Sequence, residues 1–327
     1  MSNRLLRRVR IPGTDLEIPY AVCGTMMFGK RADEAESRRI VDAALDHGID
    51  FFDTADMYQH GVSEQLLGRA LEGRRDQAIV ATKVGYGLDA DGNEEGTSPD
   101  AIRFAIDRSL ANLGMDYVDI YYLHHPDYEV PIEETLGAMD ELIRAGKVRH
   151  FALSNFGGWQ SHQVLRLCDD NGWPRPIAAQ MIYNLLVRQI ELEYVRFCKT
   201  HDLHLTVYNP LAAGLLTGKY ASLTDEAAGG RFVDSDNYRR RYWSQRFFDA
   251  SLRLKAIADG LGMSLTHLAL NWIAQGDAAS SILLGPSNTD QLLDCIAAGE
   301  ATIPDEGLAR IAAFLAEFDG TDATYAR

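Results

Sequence analysis

Eight short apolar segments recur along this 327-residue chain, each followed by a stretch of helical period, and no other feature limits the fold as tightly. The segments are Ala21–Thr25, Asp50–Asp53, Ile79–Lys83, Val118–His124, Arg149–Ser154, Ile177–Gln180, His204–Tyr208 and Ser281–Leu284. Helical patterns fall at Glu34–His47, Ser63–Gly73, Pro99–Leu113, Ile132–Ala145, Gly158–Asn171, Ile190–His201, Phe248–Leu261 and Thr289–Ala298. Start and stop signals support them: in "TSPDAIRFAIDRSLANLG", Ser98 is an N-cap, Pro99 takes the first helical position and Gly114 terminates. Strand–helix alternation implies parallel strands joined by crossover helices. Eight such units predict a closed (β/α)8 TIM barrel. A doubly wound sheet would usually carry a Gly-rich phosphate turn after its first strand, and "CGTMMFGK" holds no G-x-G-x-x-G.

Two additions to the barrel are expected. The segment "RRVRIPGTDLEIPYA" reads as an N-terminal β-hairpin capping the barrel bottom. Asn209 to Gln245 reads as a long loop after strand seven, and a loop of that length in a compact domain is usually functional or disordered. No Pro- or Ser-rich linker divides residues 1–327, so a single domain is expected. With 32 Lys plus Arg against 47 Asp plus Glu, the formal charge of -15 argues against nucleic acid or an anionic membrane as partner. No run of 18 apolar residues suggests a membrane span. Cys23, Cys168, Cys198 and Cys295 are scattered without a C-x-x-C, which fits a reducing cytosol. The arginine-rich N-terminus lacks a following apolar core, so it reads as a charged first strand rather than a targeting peptide.

In a barrel of this kind the active site lies at the C-terminal ends of the strands. Those ends carry Asp53, Lys83, His124, Ser154 with Asn155, Gln180 and Tyr208, each polar after an apolar run. One such residue would mean little, because strand ends meet water in any case; six in succession point to a site. Tyr58 follows five residues after Asp53, on the loop.

The blocks "FFDTADMYQHGVSE", "ATKV", "DIYYLHHPD", "SNF", "YNLL" and "YNPLAAGLLTGKY" resemble those of the aldo-keto reductases, nearly end to end. The nearest likeness is to the branch holding channel β-subunit-like and bacterial NAD(P)-dependent members. The resemblance implies a catalytic set of Asp53, Tyr58, Lys83 and His124. Its chemistry accounts for these residue types. Hydride addition to a carbonyl leaves an alkoxide that must be protonated, and Tyr58 supplies the proton. Free tyrosine has a pKa of about 10, and a neighbouring ammonium lowers it. Lys83 is the ammonium expected to do so, Asp53 the carboxylate that keeps it charged, and His124 a donor that orients the carbonyl oxygen. His125 stands where the family often has Arg.

The resemblance further implies NADP or NAD as hydride carrier, bound without a Rossmann fold. It places Ser154, Asn155 and Gln180 on the carboxamide and Tyr208 under the ring. Thr25, Pro210, Leu211, Gly214, Leu216, Lys219, Gly285, Ser287 and Gln291 complete the expected cofactor contacts. Ser287 stands where many relatives have Arg, and no Lys or Arg occurs from Gly285 to Cys295. A phosphate dianion without a cation is weakly held, so this segment predicts weak discrimination or a tilt to NADH. Lys219, Arg231 and the run Arg239–Arg241 are the cations of the long loop that offer compensation. Specificity is expected from Met26, Met27, Tyr86, His125 and Trp243.

The expected partner is a small carbonyl compound or the corresponding alcohol, sugar or lactol, with a homo-oligomer left open. Two other readings compete. A binding or regulatory protein on the same scaffold would not need the full tetrad. A metal-dependent barrel hydrolase usually needs an H-x-H at the end of strand one, and "AVCGTMM" has none. His201 and His204, three apart, read as structural rather than as metal ligands.

Overall fold

The computed structural model describes residues 3–87, 96–220, 222–223, 230–232 and 235–320. Eight parallel strands close into a barrel: β3 (Ala21–Gly24), β4 (Phe51–Asp53), β5 (Ile79–Val84), β6 (Val118–Leu123), β7 (Val148–Ser154), β8 (Ala178–Ile182), β9 (His204–Tyr208) and β10 (Ser281–Leu284), with β10 returning to β3. The expected barrel is thus the observed fold. Ahead of it, β1 (Arg8–Arg10) and β2 (Glu17–Pro19) form an antiparallel hairpin.

The strands are buried on both faces, as parallel strands are. Residues facing outward, such as Phe52, Val80, Tyr121, Leu123, Leu153, Leu205 and Val207, pack against the surrounding helices. Residues facing inward, among them Val22, Phe51, Ala81, Ile120, Tyr122, Ala152 and Ala178, form a separate interior cluster. Ile11 and Ile18 of the hairpin join that cluster, so the hairpin plugs the barrel from below. Each fully buried large side chain contributes about 1.5–3 kcal/mol relative to exposure.

The helices are α1 (Glu34–Asp46), α2 (Val62–Ala70), α3 (Pro99–Leu113), α4 (Ile132–Arg144), α5 (Gly158–Asn171), α6 (Tyr194–Thr200), α7 (Asp236–Tyr242), α8 (Gln245–Gly260), α9 (Leu265–Gln275), α10 (Thr289–Ala298) and α11 (Asp305–Asp319). Gly68 of α2 is required by close packing: a Cβ there would stand 2.1 Å from the Leu113 carbonyl oxygen. Among the described residues, no helix is long and apolar enough to cross a membrane.

Two expectations need correction. The helix at Phe248–Leu261 is not the crossover that packs on the barrel. That helix is α9, whose Leu270, Ile273 and Ala274 lie in the core around the strands. Helix α8 packs instead with α11 in a satellite core of Leu215, Leu216, Phe232, Tyr242, Phe248, Leu254 and Phe314. The long loop is also less irregular than expected. It contains a 3-10 turn at Ala212–Thr217 and helix α7; positions 221, 224–229 and 233–234 of the loop lie outside the described residues.

Candidate active site

Side chains of a strand alternate in direction, and this parity builds the site. Phe51, Ala81, Tyr122, Ala152 and Ala178 point into the barrel. Two positions further along each of those chains stand Asp53, Lys83, His124, Ser154 and Gln180. A polar layer therefore lies directly above an apolar one. Gln180 is not the strand-end residue expected, since β8 continues to Ile182.

Asp53 and Lys83 are both buried and form an ion pair through Oδ1 and Nζ. Lys83 Nζ also donates to the Thr54 carbonyl at 2.7 Å, and Gln180 Nε2 donates to Asp53 Oδ2 at 2.9 Å. Tyr58 begins the turn above, with Lys83 Nζ 5.1 Å from its ring centroid. The His124 ring meets the Tyr58 ring edge-on at 6.1 Å and 80°. The four expected catalytic side chains thus share one pocket mouth.

The turn carrying Tyr58 is held under strain. Gln59, His60 and Gly61 have φ of 51°, 54° and 87°. Left-handed non-glycine residues cost free energy and persist where surroundings fix them. Here Ser63 Oγ donates to the Thr25 carbonyl at 2.9 Å and is within 2.8 Å of Thr25 Oγ1 and 3.0 Å of Thr54 Oγ1. Glu64 accepts from Thr82 Oγ1 at 2.6 Å and Asn112 Nδ2 at 3.0 Å. Thr25 accordingly ties strand β3 to this turn, a role the sequence did not suggest.

Burial shapes the titration of the site. It pushes the Tyr58 phenol well above its ordinary range, with Asp53, Tyr238 and Tyr208 adding to the shift and Arg231 opposing it. Burial and the Asp53 carboxylate thus act against the lowering expected from Lys83. Burial also pulls the Lys83 ammonium down, against Asp53, Asp56 and Glu64. His124 falls well below the usual histidine range through burial, Lys83 and His125. At neutral pH the site therefore holds a protonated phenol beside a neutral imidazole.

The expected cofactor residues lie along one side of the mouth. Ser154 Oγ donates to the Gln180 carbonyl at 3.1 Å; Asn155 Nδ2 donates to the His124 carbonyl at 2.9 Å; Tyr208 Oη donates to Asn155 Oδ1 at 2.8 Å. Asn155 adopts φ of 62°, which aims its amide back into the mouth. Beyond Tyr208, Asn209, Ala212, Ala213 and Gly214 have φ of 65°, 47°, 57° and 99°. Asn184 and Tyr242 fix this curl: Asn184 Nδ2 donates to the Asn209 carbonyl and to Tyr242 Oη, both at 3.0 Å. Pro210 is buried within it, and Leu216 turns its side chain into the satellite core rather than to the mouth.

Cations converge on the same side. Lys219 Nζ would be 3.6 Å from a Cβ on Gly214. Arg231 Nη2 donates to the Gly285 carbonyl at 2.6 Å. Arg31 and Arg231 both depress Lys219, after burial. Ser287 and Gln291 engage each other, the Ser287 amide donating to Gln291 Oε1 at 2.8 Å. This donor set fits a nicotinamide dinucleotide: amide groups for the carboxamide, a phenol ring at Tyr208, and three cations for phosphates.

Met26 borders the mouth, with Tyr238 Oη 3.6 Å from its Sδ, and Tyr86 packs edge-on against His124 at 5.0 Å. Met27 is buried, and Trp243 meets Tyr220 edge-on at 5.2 Å and Phe232 at a tilt at 4.6 Å beside the satellite cluster. His201 packs on Phe197 and His162, while His204 lies inside the barrel, its Nε2 2.9 Å from Ser281 Oγ. Sequence reasoning missed Thr54, Ser63, Glu64 and Tyr238. The "GVSE" block carried a signal for Ser63 and Glu64 that was read only as a helix start.

Comparison with known proteins places this geometry among relatives. A model of the aldo/keto reductase family matches residues 22–316. Aflatoxin B1 aldehyde reductase member 2 of Rattus norvegicus is 37% identical over 299 residues, spanning 86% of this chain and 80% of the relative. Aldo-keto reductase family 7 member A3 of Homo sapiens is 35% identical over 299 residues, spanning 86% of this chain and 89% of the relative. A probable voltage-gated potassium channel subunit beta of Oryza sativa subsp. japonica is 34% identical over 275 residues, spanning 82% and 83%.

Proposed function

The chain belongs to the aldo/keto reductase family and is an NAD(P)-dependent oxidoreductase, and from that premise we propose that it reduces an aldehyde or ketone with NADPH, using Tyr58 as proton donor. The observation that carries this reading is the Tyr58 ring standing over the Asp53–Lys83 pair with His124 at its side.

Nicotinamide, when bound, would supply a hydride to a carbonyl carbon. Ser154, Asn155 and Gln180 would hold its carboxamide, and Tyr208 would lie against its ring. His124, neutral at neutral pH, donates a hydrogen bond to the carbonyl oxygen and sets its direction. As the oxygen gains charge, the Tyr58 O–H bond breaks and its proton completes the alcohol. The phenolate left behind faces Lys83, whose ammonium is kept by Asp53, and regains a proton from water. Positioned proton transfer of this kind is worth typically ~100- to 10,000-fold.

We assign the phosphates to Arg31, Lys219 and Arg231. Arg231 supplies beside Gly285 the cation that Gly285–Cys295 lacks, which favours NADPH over the NADH tilt expected from that segment alone. The relatives named as aldehyde reductases make aldehydes the first substrates to try. The four cysteines are buried and unpaired, in keeping with a cytosolic protein.

A binding or regulatory role on the same scaffold is the second reading, favoured by the likeness to a potassium channel β subunit. Turnover of an aldehyde panel, followed as loss of reduced-nucleotide absorbance with NADPH and NADH in turn, decides between them. The proposed reading requires turnover with NADPH; nucleotide binding without turnover on any carbonyl favours the second.

A further inference from the structure

The His124 ring raises a question of orientation. A functional histidine is usually aimed by a hydrogen bond on its second ring nitrogen. His124 Nδ1 is buried, yet it has no hydrogen-bond partner. What bounds the ring is aromatic: Tyr58 on one edge at 6.1 Å, and Tyr86 more closely at 5.0 Å and 74°. Tyr86 is itself 37% exposed, so burial alone does not fix it. It stacks on His125, with ring centroids 3.8 Å apart and planes inclined by 27°.

His125 is anchored on both nitrogens. Nδ1 lies 2.8 Å from the Pro126 carbonyl oxygen and Nε2 lies 2.9 Å from the Gly85 carbonyl oxygen. Backbone carbonyls only accept, so each bond needs an N–H on the ring. Neutral imidazole has one N–H and can keep one bond; imidazolium keeps both. The ring thereby braces the loop after β5 against the loop after β6. Gly85 permits the approach: its φ is +123°, and a Cβ there would stand 3.3 Å from the His125 ring. A cationic ring on the Tyr86 face is also favourable in its own right.

We propose that His125 and Tyr86 are positioning residues for His124: the doubly bonded His125 clamps Tyr86, and Tyr86 sets the plane of the imidazole that meets the substrate oxygen. The proposal rests on the reductase reading. The titratable groups around the brace are Tyr86 against its face, and His124 and Asp127 in its own segment, with Lys83 acting on His124. The Asp127 carboxylate is taken up by the amides of Thr97, Glu129 and Val130.

The test compares wild type with His125→Leu, His125→Arg and Tyr86→Leu. A misplaced catalytic group costs up to about a hundredfold, so His125→Leu and Tyr86→Leu lower kcat about ten- to a hundredfold, with nucleotide affinity unchanged. His125→Arg, a permanent cation with several donors, retains most of kcat. Unchanged kcat in His125→Leu or in Tyr86→Leu overturns the proposal. A second measurement does not depend on turnover. Nitrogen-15 spectra of histidine-labelled protein should show one His124 tautomer in the wild type that broadens or splits in His125→Leu and in Tyr86→Leu. A His124 signal indifferent to both substitutions overturns it. Wild type that reduces no carbonyl would defeat the reductase reading alone, leaving the spectra to decide the brace.

Discussion

Gln180 Nε2 donates to Asp53 Oδ2 at 2.9 Å, joining two strands 127 positions apart in the chain. Asp53 therefore divides its carboxylate between Lys83 and the amide expected to hold the nicotinamide. The proton-transfer and cofactor halves of the site share a single buried anion.

Gln180→Ala should accordingly weaken both functions. It removes a charge-assisted hydrogen bond, worth roughly 1.5–3 kcal/mol, and a carboxamide contact. Nucleotide affinity, read by fluorescence titration, and kcat should both fall about tenfold or more. A variant that loses affinity with kcat intact would show that the Asp53 contact has no catalytic consequence.

Lys83→Met strips the buried Asp53 of its cation. Breaking a buried pair from one side costs about 3–5 kcal/mol, which urea unfolding should register, and turnover should fall as far as for loss of Tyr58. Asp53→Asn should be milder in stability, because Lys83 can shed its proton, yet still lower kcat. Wild-type kcat in Lys83→Met would remove Lys83 from the chemistry.

The raised Tyr58 phenol fixes the sign of the pH dependence in the reverse direction. A group held above its ordinary range stays protonated through neutral pH. Alcohol oxidation needs the phenolate, so its kcat should climb with pH without a plateau below the ordinary tyrosine value of about 10. A plateau near neutrality would mean that bound nucleotide and Lys83 lower Tyr58 after all.

Arg231 reaches Gly285 from the long loop, and its removal should report on nucleotide choice. Arg231→Leu should weaken NADPH about ten- to a hundredfold more than NADH, the range of one charge-assisted contact. Ser287→Arg should then add little to the wild type and restore NADPH binding in Arg231→Leu. Equal losses for both nucleotides would return the weak discrimination expected from Gly285–Cys295 alone.

The eight strands were legible because burial on both faces makes each a bounded apolar run, and the polar residues closing six of the expected runs marked the barrel mouth. Helix α9 was not, for the opposite reason: Leu265, Thr266, Leu268, Ala269, Leu270, Asn271, Ile273 and Ala274 are all buried, which erases the amphipathic stripe that betrays a helix. Helix α8 keeps its stripe and so reads as the crossover in its place. Asp53, Lys83 and His124 converge as their strand positions imply, and Tyr58 stands on the turn above them. Arg231, Tyr238 and the His125–Tyr86 brace depend on how loops fold back over the mouth, and no local period encodes that. The pull of Asp53 and burial on Tyr58 was likewise hidden, because it depends on how much water the finished mouth admits.

The most direct test of the account is the rate of NADPH consumption against the best aldehyde by wild type and by Tyr58→Phe, with nucleotide affinity measured on both. Positioned acid catalysis predicts a kcat loss of ~100- to 10,000-fold in Tyr58→Phe with NADPH binding and fold unchanged. Near-wild-type kcat in Tyr58→Phe would contradict the assignment of Tyr58 as the proton donor.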